Sequence, residues 1–208
     1  MRRPLAALSL ALVLLLPTPS LAGSGAADLA TDLAAQQVFE RSHDKLVELL
    51  ARGSKPSEIQ QHVDALLDYE WIAQAALGGP SHYAARCGDR CAEFQALLTE
   101  LIRASYIERL AKGDKATVMY LGEHVREAAT KLDTKVTLED GAGKTKVIEV
   151  DYIMHKVDGA WHVRDIITEG VSLAKTYRYD LNKLYKGGGM DEVIAALRTK
   201  LDELKDQK

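Results

Sequence analysis

The sequence predicts an α+β fold: an antiparallel sheet of about four or five strands covered by helices from both chain ends. Three observations carry that prediction. Apolar residues recur at helical spacing up to residue 111 and again after residue 171, whereas residues 117–168 alternate with period two. Asp158-Gly159, between two alternating runs, signals a tight hairpin, because both turn positions need a positive φ. No internal repeat and no long linker interrupts the order helices, sheet, helices.

The first 22 residues stand apart. Arg2 and Arg3 precede an apolar run from Leu5 to Leu16, Pro17 and Pro19 break it, and Ser20-Leu21-Ala22 places small residues two apart. That pattern is a secretory signal peptide with cleavage after Ala22. The run is well short of the roughly 20 apolar residues a membrane span needs. No Cys follows it closely, so lipid attachment there is not indicated. Residues 23–208 then form a single exported domain, expected in the periplasm. Composition is globular, with 47% hydrophobic and 27% charged residues. The formal charge of −3 becomes −5 once Arg2 and Arg3 leave with the leader. No basic excess exists to neutralise phosphates, which argues against a dedicated nucleic-acid binder.

Leu29, Leu33, Phe39, His43, Leu46, Val47 and Leu50 form the first helical stripe, ended by Gly53-Ser54. Pro56 and Glu58 suit the first turn of a second helix, whose apolar face is Ile59, Val63, Leu66 and Leu67. Asp68 to Leu77 is a short third helix, closed by Gly78-Gly79-Pro80. Ser81 to Asp89 reads as a loop. Export makes a disulfide the default for Cys87 and Cys91, a local clamp at the start of the next helix. Three residues separate them where a redox pair usually has two, and a zinc site would need further ligands. Residues 90–111 form the clearest helix, stopped by Lys112-Gly113-Asp114.

Thr117 to Leu121, Thr134 to Leu138, Lys144 to Val157 and Trp161 to Thr168 are the strand runs, with a turn at Gly141-Ala142-Gly143. Val171 to Tyr185 returns to helix, Gly187-Gly188-Gly189 breaks it, and Val193, Ile194, Leu197, Leu201 and Leu204 mark a terminal amphipathic helix. Alternation assigns Val118, Tyr120, Val136, Leu138, Val150, Tyr152, Met154, Trp161, Val163 and Ile167 to apolar sheet positions. Glu149, Asp151, Ile153 and His155 take the opposite, mixed face. Asp165 falls beside Trp161 and Val163, where it needs Arg178, Tyr177 or helix N–H groups as partners. Periodicity does not distinguish a filled core from a lined cavity.

Catalytic patterns are weak. His162 and Asp165 differ by three positions, which in a regular strand puts them on opposite faces; His155 and Asp151 are too far apart to pair directly. No Gly-x-Ser-x-Gly elbow, His-Glu-x-x-His pair or phosphate-binding glycine loop is present.

The segment Trp161-His-Val-Arg-Asp165-Ile-Ile-Thr-Glu169-Gly170-Val171-Ser172-Leu173-Ala-Lys-Thr-Tyr177-Arg178 is the most informative in the chain. It resembles the signature of the MlaC family, the toluene-tolerance periplasmic phospholipid-binding proteins. That signature is a Trp-x-Val-x-Asp strand, an acidic-Gly-Val-Ser-Leu turn, and Tyr-Arg in the following helix. Leu66-Leu67-Asp68-Tyr69 through Leu77-Gly78, Val150-Asp151-Tyr152 and Gly189-Met190-Asp191 agree more loosely. Gly79-Pro80-Ser81-His82-Tyr83 stands where the family usually has a Trp, and the cysteine clamp is not a general family feature.

The resemblance implies a lipid carrier, not an enzyme, with a phospholipid as cargo and no cofactor. Its acyl chains would lie in an apolar cavity between sheet and helices. Its partners would be an inner-membrane ABC lipid transporter complex and an outer-membrane lipoprotein complex, and the carrier would act as a monomer maintaining outer-membrane lipid asymmetry. The expected sheet-side walls are Val118, Tyr120, Val136, Leu138, Val150, Tyr152, Met154, Trp161 and Val163; Leu97, Leu101 and Tyr177 are the helix-side candidates. Three alternatives remain at this point: a carrier of another apolar lipid such as a hopanoid, a periplasmic adaptor with a filled core, and a small hydrolase using His155 or His162. Replacing Tyr152 by Glu is expected to lower co-purifying lipid while the chain stays folded; unchanged lipid in an organic extract would defeat the face assignment.

Overall fold

A computed structural model describes residues 34–111, 115–139 and 143–206, and the side chains among them other than those at 107–111, 115 and 116. The leader, Leu29 and Leu33 of the first stripe, Lys112-Gly113-Asp114 and Gly141-Ala142 lie outside the described residues. The helices α1 (Ala35–Ala51), α2 (Pro56–Asp64), α3 (Tyr69–Ala76), α4 (Pro80–Cys87) and α5 (Cys91–Ala111) come first. The strands β1 (Lys115–Arg126), β2 (Ala129–Glu139), β3 (Thr145–Val157), β4 (Ala160–Thr168) and β5 (Val171–Ser172) follow, and α6 (Leu173–Asp206) closes the chain. The strands pair antiparallel in the order β1-β2-β3-β4-β5.

Local chemistry explains most boundaries. Pro56 opens α2 with Glu58 in its first turn. The Asp68 carboxylate accepts the Trp71 N–H at 3.0 Å and caps α3. Ser81 to Cys87, expected as loop, is helix α4: Gly78 and Gly79 turn the chain with φ of 102° each, and Pro80 then sits at the first helical position with its φ already set. The Cys87–Cys91 disulfide, Cα–Cα 4.7 Å, bridges the short turn Gly88–Arg90 and joins the end of α4 to the first residue of α5. Non-helical backbone at Gly188 and Gly189 breaks α6. Arg90 pairs with Glu93 and Asp191, and Arg198 pairs with Glu93, tying the start of α5 to the second half of α6.

β1 and β2 extend well past their sequence-predicted ends, whereas β3 and β4 match theirs to within one residue. β1 and β2 meet at a two-residue turn, Glu127-Ala128, with Arg126 opposite Ala129. It lacks the Gly, Asn or Pro that would announce it. Asp158 (φ 49°) and Gly159 (φ 85°) form the expected hairpin turn.

One irregularity governs the sheet. Met154 pairs with Val163 and Ile153 with Asp165, so Arg164 is an unpaired extra residue in β4. The bulge reverses the alternation beyond it. Trp161 and Val163 share a face with Ile166 and Thr168, not with Ile167. Asp165 turns to the opposite face, correcting the expected placement, and shares that face with His162. There one Asp165 oxygen accepts the N–H groups of Ile166 (2.9 Å) and Ala174 (3.0 Å), and the other accepts the Ser172 hydroxyl at 2.6 Å. Ser172 Oγ in turn accepts the Lys175 N–H at 3.0 Å. Asp165 and Ser172 together satisfy two free donors at the start of α6.

Two apolar cores result. One is helical, with Phe94, Leu98, Leu77, Val193, Leu197 and Leu201 at its centre. The other sits between sheet and α1, with Phe39, Leu132, Met154 and Val163. Asp165→Ala should destabilise the protein by about 2 kcal/mol, from a lost cap and an unpaired hydroxyl. Urea unfolding measures this, and a loss within experimental error would deny Asp165 its role in setting the β5–α6 corner.

Candidate lipid-binding cavity

A cavity of about 630 Å³ lies between the two cores. Helix α1 contributes Phe39, Ser42, His43 and Leu46; α2 and the segment after it contribute Val63, Leu66 and Leu67; α5 contributes Ile102, Ser105 and Tyr106. The sheet side is Tyr152, Val163, Ile166 and Thr168, and the β5–α6 corner adds Val171, Leu173, Thr176 and Tyr177. The volume falls within the roughly 300–1,000 Å³ usual for ligand pockets. None of these lining residues is Asp, Glu, Lys or Arg.

The two ends differ in exposure. Phe39, Ile102 and Val163 are buried. Thr168, Val171, Leu173 and Thr176 are exposed, so the β4–β5–α6 corner is the mouth. Val171 is 62% exposed although it also lines the cavity, which makes the apolar surface continuous from solvent inward.

Most polar groups in the wall are already engaged. Ser105 Oγ donates to the Leu101 carbonyl at 2.8 Å, and Thr176 Oγ1 to the Ser172 carbonyl at 2.9 Å. The Tyr106 hydroxyl points to Asp64, 3.4 Å away, which also accepts from Tyr69 at 2.6 Å and pairs with Arg103 at 2.8 Å. Burial and the Asp64 charge push the Tyr106 phenol up to about 12. Ser42 and His62 could suggest a nucleophile and its base, with Oγ 3.1 Å from Nε2. Yet His62 Nε2 is only 2.7 Å from the Ser42 carbonyl oxygen, so that nitrogen carries the proton and donates. It cannot also accept the hydroxyl proton, and the pair is a tether between α1 and α2.

Of the twelve positions expected to face lipid, Tyr152, Val163 and Tyr177 line the cavity. Leu101 is buried in the helical core and Leu97 packs on it; the cavity face of α5 lies one step round, at Ile102, Ser105 and Tyr106. Met154 is buried beneath the wall, Trp161 and Tyr120 pack on the same sheet core, and Tyr120 meets Phe39 with ring centroids 6.2 Å apart. Val136 and Val150 are buried, Val118 and Leu138 half-buried, and none of the four lines the cavity. Phe39, His43, Leu46, Val63, Leu66, Leu67 and Ile102 were visible as helical stripes, but nothing in a stripe separates a cavity wall from a packed core. Ile166 and Thr168 were hidden by the bulge.

The histidines of the sheet do not reach this space. His155 stacks on Trp71 with centroids 6.3 Å apart, and Arg164 lies over the same indole at 5.6 Å while pairing with Asp68 at 2.8 Å. Neither His155 nor His162 lines the cavity. Among the described residues no cluster of His, Cys, Asp or Glu is arranged to hold a metal ion, and no helix is long and apolar enough to cross a membrane.

A family model described as MlaC protein matches residues 34–199. The chain belongs to the MlaC family. A solved structure of similar fold is described as the phospholipid-binding protein from Ralstonia solanacearum in complex with a phospholipid; it aligns with TM-score 0.68 and 20% identity over 83% of this chain and 99% of its own. A further structure, an Rd1NTF2 variant, aligns with TM-score 0.31 and 13% identity over 34% of this chain and 60% of its own. The MlaC match spans every element from α1 to the second half of α6, and so includes both cores and the cavity between them.

Burial and the neighbouring Arg164 charge hold the His155 pKa below its ordinary value of 6.5. Between the ordinary and the lowered value, the unfolded chain binds more protons than the folded one, so stability is full above pH 6.5 and falls as pH drops through the lowered value. His155→Gln should flatten that part of a stability-against-pH curve measured by denaturant unfolding. An identical slope in the variant would remove His155 as its source.

Proposed function

We propose that this MlaC-family chain is a periplasmic phospholipid carrier, holding acyl chains in the cavity between its two cores and the headgroup at the β4–β5–α6 mouth. The observation that carries the reading is an apolar cavity, free of charged lining, that opens at one corner in a fold shared with a phospholipid-bound relative. It is a carrier and not an enzyme. Moving an acyl chain through water exposes apolar surface at about 0.8 kcal/mol per CH₂, so a soluble carrier must enclose it. No cofactor enters such a process; the lipid is cargo.

The corner also constrains the headgroup. A helix N-terminus commonly binds phosphate through its free N–H groups. Here the Asp165 carboxylate and Ser172 hydroxyl take two of those donors, at Ala174 and Lys175. The headgroup therefore faces solvent, and affinity resides in the acyl chains.

In the cell, the predicted leader would direct export and be cleaved after Ala22, leaving residues 23–208 as one domain. The carrier would exchange lipid with an inner-membrane ABC transporter complex and an outer-membrane lipoprotein complex, maintaining outer-membrane lipid asymmetry. The charge of −5 on residues 23–208 disfavours adhesion to anionic bilayers, which supports transfer through protein partners.

Native mass spectrometry of the purified protein, followed by organic extraction, tests the cargo. About one phospholipid per chain is the expected result. A hopanoid in the extract would redirect the cargo assignment. A chain still empty after incubation with phospholipid vesicles would overturn the carrier reading.

A further inference from the structure

Tyr152 differs from the other hydroxyl-bearing residues of the cavity wall. It stands on β3 between Leu132 of β2 and Ile166 of β4, and its ring packs on Phe39 with centroids 4.2 Å apart. Ser105, Tyr106 and Thr176 donate to protein groups, Ser42 Oγ lies 3.1 Å from the His62 Nε2 that donates to α1, and Tyr177 is not without a partner. Thr168 lies at the exposed mouth. Tyr152 lines the cavity, and its hydroxyl has no hydrogen-bond partner among the described residues. Burial alone pushes this phenol up to about 12, so at neutral pH it is a donor. Once an acyl chain displaces water from the cavity, a hydroxyl left without a partner is costly, and an apolar wall of this kind gains nothing from a tyrosine where phenylalanine would pack as well.

The surroundings select the acceptor. The lining holds no Lys or Arg to neutralise a phosphate. Glu40 and Asp44 lie close enough to raise the pKa of Tyr120, on the other side of Phe39, so an anion in this region meets like charge. A neutral acceptor suits both conditions. In an acyl lipid, that acceptor is the carbonyl oxygen at the head of each chain.

We propose that the Tyr152 hydroxyl is a specificity determinant: it donates a hydrogen bond to an ester carbonyl of the cargo, so the cavity retains acyl-ester lipids over ether-linked lipids of the same chain length and headgroup. This rests on the carrier reading and adds to it a polar contact inside an otherwise apolar wall. A site that supplies a buried donor discriminates against a ligand lacking the acceptor, because the donor is then left unpaired.

The test is competition between diacyl and dialkyl phosphatidylglycerol of equal chain length for the delipidated, full-length mature protein, read by native mass spectrometry. The wild type should prefer the diacyl lipid by about fivefold, the equivalent of one net hydrogen bond. In Tyr152→Phe the ratio should fall to near one. No preference in the wild type, or a preference that survives in Tyr152→Phe, overturns the proposal. Infrared spectra of wild-type protein loaded with ¹³C-carbonyl lipid add a readout that needs no variant: a red-shifted ester band supports the bond, and an unshifted band overturns it. Failure of both lipids to bind the wild type would instead defeat the carrier reading itself, so the two failures are distinguishable.

Discussion

The unpaired Arg164 in β4 is the constraint on which the rest of the structure depends. On one side of the strand, Val163 exchanges backbone hydrogen bonds with the segment after α2: its N–H donates to Leu66 O at 2.8 Å, and its carbonyl accepts from Asp68 N at 3.1 Å. Arg164 then reaches Asp68, which also caps α3. The helical core is thereby fastened to the sheet at the point where the sheet is irregular. The residues after the bulge change face, which sends Ile166 and Thr168 into the cavity and Asp165 outward to cap α6. Bulges bend a strand and re-aim its side chains; here one bulge sets a wall, a helix start and a tether together.

The cavity exists because two cores are complete without filling the space between them. Ile102, Tyr106 and Tyr177 belong to the edge of the helical core, and Phe39, Val163 and Ile166 to the edge of the sheet core. Interiors normally close to crystal-like density, so a space this size is retained only where neither core can collapse into it. The Asp64–Arg103–Tyr106 network holds α5, the Ser42–His62 tether holds α1, and the Asp165–Ser172 corner holds α6. Each uses polar bonds of fixed direction, which resist collapse better than side-chain packing alone.

Legibility in the sequence followed the range of the physics involved. Asp158-Gly159 announced its hairpin because both residues adopt the positive φ that the turn requires. The Cys87–Cys91 clamp is readable from the expected export and from the spacing. The motif from Trp161 to Arg178 pointed to the MlaC family, and the match over residues 34–199 agrees. By contrast, α4 is hidden in the sequence because Gly-Gly-Pro ends one helix and starts another with the same residues. Glu127-Ala128 carries no turn chemistry at all. Strand alternation holds up to Val163 and fails after Arg164, so Ile167 and Asp165 lie on the face opposite to the one that alternation predicts.

The sequence by itself determined the order of elements, the antiparallel sheet with helices from both ends, and the family, because these rest on periodicity, turn residues and a contiguous motif. Tertiary structure alone decided which apolar residues line a cavity. Phe39, Ile102 and Leu66 look in sequence like any core positions, and Leu97, Leu101, Val136 and Met154 look the same. What separates them is whether a neighbour from a distant element fills the space beyond the side chain. That is a property of how helices seat on a bulged sheet, and no local pattern encodes it.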